Sequence, residues 1–162
     1  YGGGKIFSEL YGIHFAKKYF KKFIIFRPHN VYGKDMGNDH VIPEFINRFK
    51  NIGSKKKFLI YGTGNEIRSF IYIDDFVSGF DKLFRKGKNQ EIYNIGTSEK
   101  VKISQLAKSI AVILKKQIKF SRTKLLKGSP SKRCPNIKKI KKLGFKQKIS
   151  LREGLKKIIF NY

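Results

Sequence analysis

The chain has 162 residues, 40% of them hydrophobic, and a formal net charge of +26. That apolar share suits the core of one domain, or parts of two, and argues against wholesale disorder. No apolar run approaches the roughly 20 residues needed to cross a bilayer. Lys supplies most of the 37 basic residues and is spread along the whole chain, whereas bidentate recognition of phosphates or bases favours Arg. The charge is therefore read as solvated faces, and a basic nucleic-acid-binding module is the distant alternative to the reading below. Cys134 is the single cysteine, so no intrachain disulfide forms and a reducing, cytoplasmic setting is expected. One Cys and three scattered His give no zinc-like spacing, and no metal site is expected.

The first feature in chain order is Tyr1 followed by Lys5. Residues four apart share a helix face, and a nearby ammonium favours phenolate, so the pair can give and take a proton at workable pH. The same spacing arises by chance in a Lys-rich chain. Gly2, Gly3 and Gly4 lie between the two and argue against a helix there, at roughly 0.8–1 kcal/mol each relative to Ala. The chain does not begin with Met, and if this pair is catalytic the chain is expected to be the C-terminal part of something larger.

Ile6, Leu10, Ile13, Ala16 and Phe20 form a near-helical stripe over 3–20. Residues 23–27 make a short apolar run ended by Pro28, a buried strand. A turn-rich loop runs from Pro28 to His40. Ile42, Phe45, Ile46 and Phe49 fall at helical spacing over 41–50, with Pro43 tolerable in the first turn. Phe58 to Tyr61 is a strand closed by a hairpin-like turn at Gly62-Thr63-Gly64-Asn65. Arg68 to Ile73 is extended. Asp74 is expected to cap a helix through about Phe84, with Asp75 adding negative charge to its first turn, and Gly87 stops it.

Glu91 to Ile95 is a strand before Gly96. Ser104 is expected to cap a helix through about Leu114, followed by a break and a short strand to Phe120. Asn136 to Leu143 is a short helix ended by Gly144. Ser150 caps the last helix, with Glu153 three residues on as a capping box. Helices and strands alternate, so the fold class is α/β. Gly62-Thr63-Gly64 lacks a third Gly at the dinucleotide spacing and opens no helix, so it is a turn rather than a cofactor loop. Asp74 and Asp75 point apart and are read as structural rather than catalytic.

Several segments together resemble one family. They are Tyr1-x-x-x-Lys5, Arg27-Pro28-His29-Asn30-Val31-Tyr32-Gly33 and His40-Val41-Ile42-Pro43. They continue with Ile60-Tyr61-Gly62-Thr63-Gly64-x-x-x-Arg68-Ser69-Phe70-x-Tyr72-x-Asp74-Asp75, Tyr93-Asn94-Ile95-Gly96, Gly128 to Asn136, and Leu143-Gly144-Phe145. In this order they resemble the extended short-chain dehydrogenase/reductase family, specifically its NAD-dependent nucleotide-sugar epimerases and dehydratases. The likeness runs from Tyr1 to the C-terminus. A departure is Gly3-Gly4, where the family usually carries bulkier residues and often a Ser just before the Lys.

The resemblance implies the C-terminal part of an extended Rossmann-type fold with an interleaved sugar-nucleotide-binding domain. Residues 1–33 and 70–99 would belong to the NAD-binding part, and 34–69 and 100–162 to the substrate part. The Gly-rich cofactor loop and the Ser or Thr of the catalytic group would lie upstream of Tyr1. Tyr1 would be the acid/base at a sugar hydroxyl, and Lys5 would hold the nicotinamide ribose and depress the Tyr1 pKa. Pro28 would end the strand at the nicotinamide end of the cofactor. Asn30 would face the substrate diphosphate, or else simply tolerate a turn. Arg68 would pair with the diphosphate, with a solvated strand-edge Arg as the alternative. Arg133, in a Pro-flanked loop crowded with Lys, would be a second clamp or simply solvated charge. His40 and Val41 would line the base pocket, or form a plain helix cap. The implied cofactor is NAD, and the implied partners are a nucleotide-diphosphate sugar and a second copy in a homodimer. The implied activity is a UDP-glucose 4-epimerase-like reaction, with a 4,6-dehydratase or decarboxylase of the same family as the alternative.

Overall fold

The computed structural model describes residues 2–53, 57–117, 119–124, 128 and 130–160. Tyr1, Lys127 and Ser129 lie outside the described residues, and so does the catalytic role expected of Tyr1. Helix α1 (Gly2–Tyr19) leads into strand β1 (Ile25–Pro28) and the short β2 (Val31–Tyr32). Helix α2 (Val41–Asn51), β3 (Phe58–Ile60), β4 (Ile67–Arg68) and β5 (Ile71–Tyr72) follow. Then come α3 (Ile73–Lys86), β6 (Ile92–Ile95), β7 (Val101–Lys102) and α4 (Ile103–Ile113). The chain ends with β8 (Phe120–Arg122), β9 (Lys132–Arg133), α5 (Lys138–Lys142) and α6 (Leu151–Phe160).

Strand pairing is mostly parallel, as helical crossovers require. β1 pairs with β6, β2 with β5, and β3 with β8, all parallel. β4 is the centre of a three-stranded set, antiparallel to β7 and parallel to β9. Two apolar clusters form. The larger joins α2, α4 and α6 around Phe49, Phe58, Leu106, Ile110 and Leu155. Within it Phe49 stacks on Phe58 at 3.8 Å between ring centroids, only 5° from parallel. The smaller joins Ile71, Leu83, Tyr93, Ile95, Ile137, Ile140 and Phe145, so the chain around α5 packs with the β6 and α3 side.

Local expectations hold at the last helix. Ser150 and Glu153 exchange hydrogen bonds, with the Ser150 N–H donating to Glu153 Oε2 at 2.9 Å and the Glu153 N–H to Ser150 Oγ at 3.3 Å. Five others need correction. The strand expected to be buried after residue 23, β1, is half-buried at Ile25 and exposed from Phe26 to Pro28. Helix α1 starts at Gly2 despite the glycines, yet of its 18 residues only Ala16 is buried. The stripe expected to pack is open: Ile6 and Leu10 stay exposed.

Asp74 caps nothing, because α3 begins after Tyr72 without a side-chain cap. Asp75 is instead fully buried, and its carboxylate accepts the Lys148 N–H at 3.0 Å and the Ile149 N–H at 2.9 Å. That ties the start of α3 to the segment before α6. Ser104 is not the cap of α4 either. The position is taken by Lys102, whose N–H donates to Gln105 Oε1 at 3.0 Å. Finally, the strands flanking Gly62-Thr63-Gly64 do not pair with each other, so that turn is no hairpin.

Candidate functional site

The parallel β1–β6 ladder ends at Pro28 opposite Ile95. His29 extends it by one bond, its N–H donating to the Ile95 carbonyl at 3.0 Å. The chain must then turn, and Asn30 makes the turn at φ 43°, in the left-handed region that Asn tolerates better than most residues. Its side-chain amide donates to the Ser69 carbonyl at 2.8 Å, and its own carbonyl accepts the Ile71 N–H at 3.2 Å. Asn30 is thus both the turn residue and the hinge between β1 and the β4–β5 segment. It also lines a cleft of about 270 Å³ with Val41, Glu44, Phe45, Tyr61, Gly62, Glu66, Arg68, Phe70 and Ile103.

The cleft brings three of the expected residues together: Asn30, Val41 and Arg68. His40 lies next door, in a smaller recess of about 60 Å³ that shares Asn30, Val41 and Phe70 with the cleft. Arg133 is not in a loop. It forms β9, where it is the direct register partner of Arg68, on strands spaced about 4.8 Å apart. Neither guanidinium forms an ion pair among the described residues. Burial and the neighbouring Arg133 charge both lower Arg68 from its ordinary value, although a guanidinium stays cationic. Two like charges side by side on a ladder are destabilising, and an anion between them reverses the sign. Lys5 and Pro28 line neither recess. Both are exposed, Lys5 on α1 and Pro28 at the end of β1.

The floor of the cleft is organised by Glu66, which sequence reasoning missed. Glu66 is 6% exposed. Its Oε1 accepts the Thr63 N–H at 2.8 Å and the Thr63 hydroxyl at 2.9 Å. Burial pushes this carboxyl up, but the N–H groups of Glu66, Thr63 and Gly64 and the Thr63 hydroxyl outweigh it and hold it below its ordinary value. The turn it braces needs glycine: Gly62 sits at φ 109°, and a Cβ there would lie 2.9 Å from Glu66 Oε1.

Tyr61 was also missed, although it stands in the quoted segment. It is 66% exposed, with the Arg48 guanidinium 5.4 Å from its ring and 4.4 Å from that of Phe58. Arg48 is held in turn by Glu44 at 2.6 Å and the Leu59 carbonyl at 2.5 Å. A flat ring beside a cation-bearing cleft can cover a planar ligand group. Among the described residues no cluster of three or more His, Cys, Asp or Glu could hold a metal ion, and no helix is long and apolar enough to cross a membrane.

Comparison with known proteins adds relatives to this geometry. The family model described as "NAD dependent epimerase/dehydratase family" matches residues 1–96. The dTDP-D-glucose 4,6-dehydratase of Dictyostelium discoideum is 42% identical over 101 residues, covering 60% of this chain and 23% of that protein. The Bos taurus enzyme of the same name is 32% identical over 166 residues, covering 98% of this chain and 46% of that protein. Among solved structures, the UDP-glucose 4-epimerase of Thermotoga maritima, determined with UDP-glucose, matches with TM-score 0.86 and 31% identity, covering 99% of this chain and 52% of that one. The chain therefore spans about half the length of these relatives, or less.

Proposed function

Because the chain belongs to the NAD-dependent epimerase/dehydratase family, we propose that it serves NAD-dependent epimerisation of a nucleotide-diphosphate sugar, in the manner of a UDP-glucose 4-epimerase. The observation that carries this is the Arg68–Arg133 pair, two cations in register on neighbouring strands, of which Arg68 lines the cleft with Asn30 and Val41. Such a pair suits a diphosphate better than a single charge does. Asn30 adds a neutral donor, and His40 and Val41 line the recess for the base.

The cofactor fits the residues present. Lys5, an exposed ammonium near the start of α1, and Pro28, at the exposed end of β1, would hold the nicotinamide end, where a cation suits ribose hydroxyls. When bound, NAD supplies the acceptor and donor of a hydride at a sugar carbon. In this reading Tyr1 takes the proton of the sugar hydroxyl and later returns it, and Lys5 favours the phenolate that can do so. The roles of Tyr1 and Lys5 rest on their spacing in the sequence. Arg68, Arg133 and Asn30 hold the diphosphate while the sugar turns.

We assign residues 1–33 and 70–99 to the cofactor part and 34–69 and 100–162 to the substrate part. A second copy is the proposed partner, supported by the open apolar residues of α1, including Phe7, Leu10 and Tyr11. The proposed setting is cytoplasmic, in keeping with the lone free thiol of Cys134.

A specific observation favours a second reading: the dTDP-D-glucose 4,6-dehydratases among the relatives support a dehydratase. One experiment separates the two. The protein as its gene encodes it is incubated with NAD and UDP-glucose or dTDP-glucose in deuterated water and followed by proton NMR. A C4 epimer without solvent deuterium supports the epimerase. A 4-keto-6-deoxy product carrying solvent deuterium supports the dehydratase. No conversion of either sugar contradicts both.

A further inference from the structure

Helix α1 doubles back against residues 23–27, which lead into and along strand β1, and meets them at two described places. At the first, Gly12 lies against the Phe23 ring so closely that a Cβ would sit 2.5 Å from its Cζ. At the second, Arg27 grips Glu9 with a fork, Nε to Oε1 at 2.8 Å and Nη2 to Oε2 at 2.5 Å. The hydrogen bond from Arg27 holds the Glu9 carboxyl below its ordinary value, and Glu9 raises Arg27 in turn. Among the described residues only Ala16 of α1 is buried. A ring against a glycine fixes a distance of approach but no rotation. A planar guanidinium on both carboxylate oxygens fixes distance and angle together. An exposed pair of this kind adds little stability, so what it contributes is geometry.

The two contacts define a run in which residue 12 faces 23 and residue 9 faces 27. Lys5 lies one turn before Glu9, about 6 Å along the helix axis. His29 lies two residues beyond Arg27, about 6.6 Å along the strand. Continued at these rises from the Glu9–Arg27 contact, the Lys5 turn would come level with His29. We propose that Glu9 and Arg27 are positioning residues, whose bidentate pair sets the rotation and height of α1 so that Lys5 faces the C-terminal end of β1. The purpose of this clamp rests on the cofactor-holding reading of Lys5 and Pro28 given above, while its existence does not.

The test uses the protein as its gene encodes it, with Glu9→Gln, Arg27→Gln, and the exchanged pair Glu9→Arg with Arg27→Glu. Backbone amide exchange in α1 reads the clamp directly. Each single variant speeds exchange in the turns around Lys5, and the exchanged pair slows it again; wild-type exchange in both single variants overturns the proposal whatever Lys5 does. Turnover reads the purpose. Each single variant lowers kcat on the order of 10²-fold, as an ångström-scale misplacement does, with substrate KM unchanged. The exchanged pair recovers most of it. Wild-type kcat in the single variants, or no recovery in the exchanged pair, overturns the positioning role. Full turnover in Lys5→Ala overturns the reading of Lys5 itself, and with it the purpose of the clamp, while amide exchange still decides whether the clamp exists.

Discussion

Replacing Arg68 by Met keeps the apolar stem packed and removes only the guanidinium. Three effects follow. The bond from Arg68 Nη1 to the Ile67 carbonyl at 2.9 Å is lost, at about 0.5–1.5 kcal/mol. The like charge of Arg133 on the facing register position no longer opposes folding, which returns about 0.2–1 kcal/mol. These nearly cancel, so the unfolding midpoint should hardly move. Ligand binding has no such offset. Losing a charge-assisted bond to the diphosphate should cost about 1.5–3 kcal/mol, or roughly 10- to 150-fold in affinity. Calorimetric titration of wild type and variant with UDP, uridine and NAD separates the causes. UDP should weaken by that factor, while uridine and NAD bind as before. Equal losses for UDP and uridine, or an unchanged UDP affinity, would refute the assignment of Arg68 to the diphosphate.

Three further outcomes follow from the packing. Asp75→Ala leaves the part-buried N–H groups of Lys148 and Ile149 without their acceptor and should destabilise by about 1–3 kcal/mol; urea unfolding checks this, and a loss below about 0.5 kcal/mol counts against the tie. Gly154→Ala places a Cβ 2.2 Å from Tyr32 Oη and 2.9 Å from Tyr72 Cδ2, so overpacking should cost about 1–3 kcal/mol, read as a lowered thermal midpoint. Glu66 has a folded-state pKa below its unfolded value, so its contribution is complete above the unfolded pKa, near 4.3, and is lost as pH falls through the folded one. Glu66→Gln should flatten that acid limb in unfolding measurements, and an unchanged limb would count against it.

The sequence carried the local order well. The capping box of Ser150 and Glu153 and the apolar period of α2 depend on neighbours three or four residues apart, which a linear reading can see. Asp75 shows the limit. A carboxylate in a first helical turn satisfies the capping rule, but its acceptor role is fixed by N–H groups 73 and 74 residues away. The two-residue strands β2, β4, β5, β7 and β9 are too short to carry a period, so the register that sets Arg68 beside Arg133 was not legible. The expectation that both serve one diphosphate came from the family resemblance. Glu66 and Tyr61 were hidden for another reason: one braces a turn and the other closes a strand, and only their shared cleft gives them a place in a site. For α1, apolar periodicity marked a helix correctly but did not say what covers its stripe.

The proposed NAD-dependent chemistry on a nucleotide sugar depends on proton transfer by the Tyr1–Lys5 pair. Its most direct test is Tyr1→Phe in the protein as its gene encodes it, with turnover and the binding of NAD and UDP-glucose measured side by side. Removing only the phenolic oxygen should lower kcat by on the order of 10²–10⁴ and leave both affinities near wild type. Turnover close to wild type, or a loss explained by weaker binding, would contradict proton transfer by Tyr1.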